Sequence, residues 1–211
     1  MPQIVGDLPS YPLPGADATM VVYVERARGG DSAAFTTLFE HYNLRIFRFL
    51  ERAVGSPEVA RDLTQDTFIA AWSSLPELHD ERRFAPWLYR IATNKARMHL
   101  RRARLIRWLP WGEADHAREV PSLALVDPQE QVGQSERVRL ALAELSANYR
   151  TCLLLQADAG FSQREIALML GMNEKTVSSI LSRARHRFRE AYLRLEHDAP
   201  VLKKARRGGE R

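Results

Sequence analysis

Gly160 to Arg187 reads GFSQREIALMLGMNEKTVSSILSRARHR, an apolar pattern that breaks at Gly171 and restarts at Val177. This is the outline of two short helices with a tight turn between them, a helix-turn-helix. Ser162 followed three residues later by Glu165 forms a capping box: the hydroxyl satisfies an orphan amide and the carboxylate reaches back to the cap. The first helix is therefore predicted to start at about Ser162, with Ile166, Ala167, Met169 and Leu170 on its buried side. Gly171 can take the left-handed conformation that ends a helix without a Cβ penalty, and Asn173 caps the second helix. At roughly 100° per residue, Val177, Leu181, Ala184 and Phe188 share one stripe while Lys175, Ser178, Ser179, Ser182 and His186 face the other way. One face packs and the other is free to read. Beside it, Arg183, Arg185, Arg187 and Arg189 suit phosphate contacts, which supply most sequence-independent affinity for nucleic acid. A solvated basic face on a helical protein that never touches nucleic acid is the competing reading.

Composition permits that partner without requiring it. The chain has 211 residues and a formal charge of +5, with 31 basic against 26 acidic side chains. Its pI near 9.6 fits an anionic partner. The length suits one sizeable domain or two small ones, and two is the reading adopted. Cys152 is the only cysteine, so neither an internal disulfide nor a zinc site of cysteine pairs can form, in keeping with a reducing compartment. The start, MPQIVGDLPSYPLPGADA, lacks the basic and apolar runs of a signal peptide, and no stretch reaches the ~18 apolar residues of a membrane span. A cytoplasmic protein without membrane insertion is expected. There is also no Gly-rich phosphate loop, His-Glu metal helix or recognisable nucleophile setting, so neither an enzyme nor a cofactor is expected.

Outward from the opening stretch, the rest of the chain is predicted to be all-α. Residues 1–17 are Pro- and Gly-rich and read as a flexible tail. Helical patterning begins near Ala18, and Gly29 to Asp31 form a turn. Ser32 is expected to cap a long amphipathic helix whose core face is Phe35, Leu38, Phe39, Tyr42, Ile46, Phe49 and Leu50. Gly55 stops it, Ser56 caps the next helix and Pro57 takes its first position, where a missing amide costs nothing. On that helix, to about Ser74, Asp62, Gln65, Asp66 and Ile69 lie within a third of the circumference. They form an acidic patch around one exposed apolar residue, either merely solvated or a dock for a basic partner helix. After LPELHDERRF comes APWLYRIATNKARMHLRRARL, with Phe84, Trp87, Leu88, Ile91 and Met98 on one face and Arg90, Asn94, Arg97 and Arg101 in a stripe beside it. Arg and Asn in a row, flanked by Trp87 and Tyr89, suit a helix gripping a phosphate backbone near unstacked bases, although Trp87 itself reads as core. Residues 108–133 carry Pro110, Gly112, Pro121 and Pro128 among Glu113, Asp115, Glu119, Asp127 and Glu130, an extended acidic linker. Helices resume at about Gln134, Ser146 caps another, and the second domain closes near Leu195 ahead of a basic tail, residues 196–211. The expected organisation is thus two small helical domains, 18–107 and 134–195.

From about Ala18 to Tyr192 the chain resembles the extracytoplasmic function (ECF) sigma factors, compact members of the sigma-70 class. VERARGGDSAAFTTLFEHYNLRIFRFL looks like the family's first conserved region and ARDLTQDTFIAAW like its polymerase-binding segment. FAPWLYRIATNKARMHLRR looks like its melting and promoter-reading helix, and GFSQREIALMLGMNEKTVSSILSRARHRFREAY like its C-terminal helix-turn-helix. The resemblance implies a specificity subunit without chemistry of its own, which binds the β and β′ subunits of core RNA polymerase and directs them to minus-thirty-five and minus-ten promoter elements. By position, Asp62, Gln65, Asp66 and Ile69 would meet the β′ clamp helices. Arg83, Trp87, Arg90, Asn94, Arg97 and Arg101 would lie along the minus-ten region. The loop from about Glu77 to Arg83 would take up a flipped base, at a few kcal/mol of unstacking. The acidic linker would occupy a route later taken by RNA. Lys175, Thr176, Ser178, Ser179, Ser182 and Arg183 would face the minus-thirty-five element. Where the family commonly carries Lys and Arg in TVKSRLHRAR, this chain has Ser178 and Ile180, which makes Lys175, Thr176, Ser179 and Arg183 the readers. Its loop HDERRF also differs from the Gly- and Ser-containing loop common there. Family habit adds an anti-sigma factor. The alternative is an autonomous helix-turn-helix repressor or activator with an N-terminal dimerisation or sensor domain.

Overall fold

The computed structural model describes residues 18–106 and 130–207, with side chains for 20–103 and 133–197. Among the described residues there are eight α-helices and no strand: α1 (Ala18–Arg28), α2 (Ser32–Val54), α3 (Pro57–Ser74), α4 (Phe84–Ile106), α5 (Glu130–Ala143), α6 (Ala147–Ala157), α7 (Gln163–Leu170) and α8 (Glu174–Arg207). Single 3-10 turns at Leu75–Glu77 and Glu81–Arg83 lead from α3 into α4.

Caps set most of these boundaries. At α2 the cap is Asp31 rather than the expected Ser32: its carboxylate accepts the Ala34 amide at 3.0 Å and is gripped by the Arg26 guanidinium at 2.6 Å. Those two bonds, the amide first, hold the Asp31 carboxyl below its ordinary range. An ionised oxygen one residue upstream outcompetes a hydroxyl for the same orphan amide. Gly55, at φ 80°, ends α2 by donating its amide to the Glu51 carbonyl at 2.7 Å. Ser56 then caps α3 through the Val59 amide at 3.3 Å, with Pro57 in the first turn.

Leu38, Ile46, Phe49 and Leu50 of α2 are essentially inaccessible and pack against Ala60 and Ala71 of α3 and Phe84 and Leu88 of α4. Each large aliphatic among them contributes about 1.5–3 kcal/mol by leaving water. The hydroxyls of Thr64 and Thr67, buried on α3, are satisfied by carbonyls one turn back at 2.7 and 2.6 Å. In the other half, α5, α6 and α7 all pack on α8, over a core of Cys152, Leu154, Leu155, Ile166, Val177 and Leu181.

Three expectations about the core change. Phe39 is 37% exposed and Phe35 only half-buried, because they line an open groove instead of the interior. Met98 is 53% exposed. The inner face of α4 is completed by Tyr89, Ala92 and Ala96, and Met98, two residues or about 200° on from Ala96, points away. Helix α5 begins at Glu130, ahead of the expected Gln134, and α8 continues as helix to Arg207, through much of the stretch read as a tail. The expected N-terminal tail and most of the linker lie outside the described residues.

The two halves touch. Helix α6 packs on α2 and α4, and α7 packs on α4. The Arg150 guanidinium of α6 reaches the Ala53 carbonyl of α2 at 2.9 Å, Arg52 pairs with Asp158, and the Tyr89 and Phe161 rings meet edge to face at 5.1 Å.

Candidate protein and nucleic-acid interfaces

Between α2 and α3 lies a groove of about 880 Å³, lined by Phe35, Phe39, Leu44, Phe47, Phe68, Ile69 and Trp72 with Asn43, Arg61 and Gln65 among its polar residues. Its rings stack into a shelf: Phe35 and Trp72 at 4.8 Å, Phe39 and Phe68 at 4.8 Å. Leu44 and Ile69 are more than half exposed, and Trp72 is 38% exposed. Apolar surface gathered in this way marks a protein contact, and aromatic anchors in a groove suit an amphipathic helix. Gln65 and Ile69 stand in the groove wall, whereas Asp62 and Asp66 are exposed on the same helix, Asp66 facing Lys95 of α4 at 3.5 Å. The sequence reading found this acidic rim and Ile69 but missed the groove. Trp72, one turn beyond Ile69 and Phe68, was the available signal.

On α4, Arg90, Asn94, Arg97 and Arg101 are all exposed and follow one another at helical spacing, as the wheel predicts. Trp87 is half-buried against Phe84, their rings 5.8 Å apart. Tyr89, expected to flank the stripe, is instead buried between Phe49 and Phe161. Burial first, then the Asp158 carboxylate, pushes its phenol well above the ordinary range. The loop ahead of α4 is ordered by Asp80, which caps its second turn through the Arg82 amide at 3.1 Å and faces Arg83 at 3.3 Å. Arg28 ties the loop to α1 through Glu81 at 2.5 Å and the Leu78 carbonyl at 3.1 Å. Arg83 itself is exposed.

In the helix-turn-helix, Ser162 accepts the Glu165 amide at 3.3 Å and donates its own amide to the Glu165 carboxylate at 2.8 Å, the reciprocal capping box. Gly171 sits at φ 64°, and Asn173 accepts the Lys175 amide at 2.8 Å. Val177, Leu181 and Ala184 are fully buried, while Lys175, Thr176, Ser178, Ser179, Ser182 and Arg183 are exposed. Ile180, in the place of a family Arg, is half-buried and packs on the core. Of the Arg cluster, Arg185 is engaged with Gln156 at 2.5 Å and Arg187 lies over the Tyr149 ring at 5.3 Å. Cys152 is buried, and burial pushes its thiol up to about 11. Among the described residues no group of His, Cys, Asp and Glu could hold a metal ion, and no helix is long and apolar enough to cross a membrane.

An exposed polar face on α8, an exposed Arg-Asn stripe on α4 and an open apolar groove between α2 and α3 together fit an adaptor between a protein and DNA. Comparison with known proteins agrees. Residues 38–106 match the Sigma-70 region 2 family profile, and residues 135–188 match the Sigma-70, region 4 profile. The chain is 36% identical over 166 residues to RNA polymerase sigma factor NccH of Alcaligenes xylosoxydans xylosoxydans, covering 76% of this chain and 87% of that one. It is 31% identical to the RNA polymerase sigma-H factor of Pseudomonas aeruginosa, over 83% of this chain and 95% of the relative. Among solved structures it is similar to CnrH in complex with the cytosolic domain of CnrY, at TM-score 0.60 and 26% identity over 81% of this chain and 94% of that one. It is also similar to the sigma factor RpoE in complex with the anti-sigma factor NepR from Bartonella quintana, at TM-score 0.58 and 26% identity over 74% and 95%. The chain belongs to the ECF group of sigma-70 family RNA polymerase sigma factors. Such factors bind core RNA polymerase, recognise promoter elements and start transcription, as non-enzymatic initiation factors.

Proposed function

We propose that core polymerase docks on the α2–α3 groove and its acidic rim, with Asp62, Gln65, Asp66 and Ile69 as contacts to the β′ subunit. The observation that carries this reading is the coincidence on one helix of exposed carboxylates, at Asp62 and Asp66, with an apolar wall, at Ile69 and Trp72. A partner helix with one apolar and one basic face satisfies both at once. Arg83, Arg90, Asn94, Arg97 and Arg101 then follow the opened minus-ten region, with Trp87 at its edge. The loop between the two 3-10 turns receives an unstacked base. Lys175, Thr176, Ser178, Ser179, Ser182 and Arg183 face the minus-thirty-five duplex. In that scheme residues 18–107 and 134–195 are the two functional domains, 108–133 is the connecting linker, and 1–17 and 196–211 are tails. The protein works in the cytoplasm, beside the polymerase, and is not an enzyme. An anti-sigma factor competes for the same groove, as CnrY and NepR accompany the related factors in their solved complexes.

A pull-down with core polymerase tests the docking face. Asp62→Arg/Asp66→Arg abolishes capture while circular dichroism stays at the parent's, since both side chains are exposed. Full retention of binding by this double variant removes α3 from the interface.

A further inference from the structure

We propose, resting on the minus-ten reading of α4 above, that Met98 reads the duplex at the upstream edge of that element by packing against the C5-methyl group of a thymine.

Helix α4 carries an apolar ridge beside its Arg-Asn stripe. At roughly 100° per residue, Trp87 and Ile91 lie within about 20° of the line through Met98. Trp87 and Ile91 are half-buried against the core, whereas Met98 stands clear of it, 53% exposed. Asn94 and Arg102, four residues to either side, come within about 40° of Met98, and Arg101 within about 60°. The thioether is thus ringed by polar groups on the face assigned to DNA. Its cations are available: Lys95 faces Asp66 at 3.5 Å, but among the described residues no ion pair engages Arg90, Arg97, Arg101 or Arg102.

A single exposed apolar side chain on a solvated surface calls for no explanation. Met98 differs in its surroundings. Once Arg97, Arg101 and Arg102 hold phosphates, the surface between them is pressed against the duplex and loses its water. Few groups on a duplex suit an apolar side chain there. Phosphates are charged, and in the major groove guanine, cytosine and adenine present donors and acceptors, while thymine adds a methyl group. An unbranched side chain with three rotatable bonds can reach that methyl from a helix lying in the groove.

Position along α4 separates paired from opened DNA. The loop that receives the unstacked base ends at Arg83, and Met98 lies fifteen residues farther on. At 1.5 Å per residue that is about 22 Å, or about six base steps at ~3.4 Å each. The minus-thirty-five element is bound as duplex on the upstream side, so the end of α4 remote from the loop meets DNA that is still paired. Stacking covers the ring faces in paired DNA and leaves the methyl edge as the apolar contact.

Holoenzyme assembled from core polymerase and the full-length chain first selects duplexes from a pool randomised across the minus-ten region. In the tightest binder each thymine is then replaced singly by uracil, which removes the methyl group and leaves pairing intact. Competition binding should show one replacement, at the upstream edge, that weakens the parent by about fourfold, the ratio expected for one buried methyl group. With Met98→Ala the same replacement changes nothing, and Met98→Leu keeps most of the effect. Thermal melting of the variants and their capture by core polymerase stay at the parent's, because Met98 is exposed and lies outside the α2–α3 groove. A selected site without thymine at that edge, uracil tolerated throughout by the parent, or a uracil penalty that Met98→Ala retains overturns the proposal. Arg97→Ala/Arg101→Ala on the same duplex separates this proposal from the reading beneath it. Weakened binding there without a uracil effect overturns the role of Met98 alone, whereas unchanged binding removes α4 from the minus-ten region and both fall.

Discussion

On the α2–α3 face, Leu44 and Ile69 leave more than half their surface in water beside a shelf of aromatic rings, whereas the first turns of α8 expose Lys175, Thr176, Ser178, Ser179, Ser182 and Arg183 over a buried Val177 and Leu181. Both faces are outward sides of helices packed on apolar cores, yet their chemistry suits different partners. Exposed rings gain by leaving water and call for another protein. Small hydroxyls, a Lys and an Arg lose nothing by staying wet and call for phosphates and base edges. The side chain on the solvent side, not the helix beneath it, sets the partner.

Four substitutions break or sharpen this contrast, in falling order of effect. Trp72→Ala should weaken polymerase capture by about 2 kcal/mol or more, roughly thirtyfold, as measured by titration with core enzyme. Binding of DNA by the C-terminal half should be unchanged, and an equal loss in both would erase the distinction between the faces. Arg183→Ala should do the reverse, costing about 1–3 kcal/mol at the minus-thirty-five element if the side chain reads a base edge. A drop of about one in the salt slope, equal on all sequences, would instead mark it as a phosphate contact. Ser162→Ala removes one arm of the capping box and should destabilise the C-terminal half by ~1 kcal/mol in urea denaturation. Asp31→Asn keeps a capping oxygen but removes the charge. Because the Asp31 carboxyl is held below its ordinary value of 3.8, its added stability is present above that pH and lost as pH falls through the lower folded value. The melting temperatures of parent and variant should therefore differ at pH 6, begin to approach each other near pH 3.8 and converge only below the lowered folded value.

Much of the fold was legible because its signals are local. A capping box, a left-handed Gly171, Pro57 in a first turn and the 177, 181, 184 stripe each act within one or two turns of backbone, so neighbours in sequence suffice to read them. Asp31 was missed by one residue because Asp and Ser both cap helices, and the choice was made by Arg26, which stands beside the carboxylate in space. Phe35 and Phe39 show the deeper limit. A phenylalanine at core spacing looks the same whether a helix covers it or a groove leaves it open. Met98 and Tyr89 exchanged roles for a related reason: Ala92 and Ala96 let α4 lie close on its neighbours, which rotates Tyr89 inward and Met98 out.

By itself, then, the sequence determined which segments are helical, where most begin and end, and which polar stripes face outward, since hydrogen bonds and helical periodicity operate at short range. The tertiary structure alone decided that apolar residues of α2 and α3 form a groove, that Tyr89 lies beneath Phe161, and that Arg150 joins helix ends some ninety residues apart, from Ala53 to Ala143. Those outcomes depend on which surfaces meet after the chain has folded back on itself, and no local pattern encodes what will cover a given side chain.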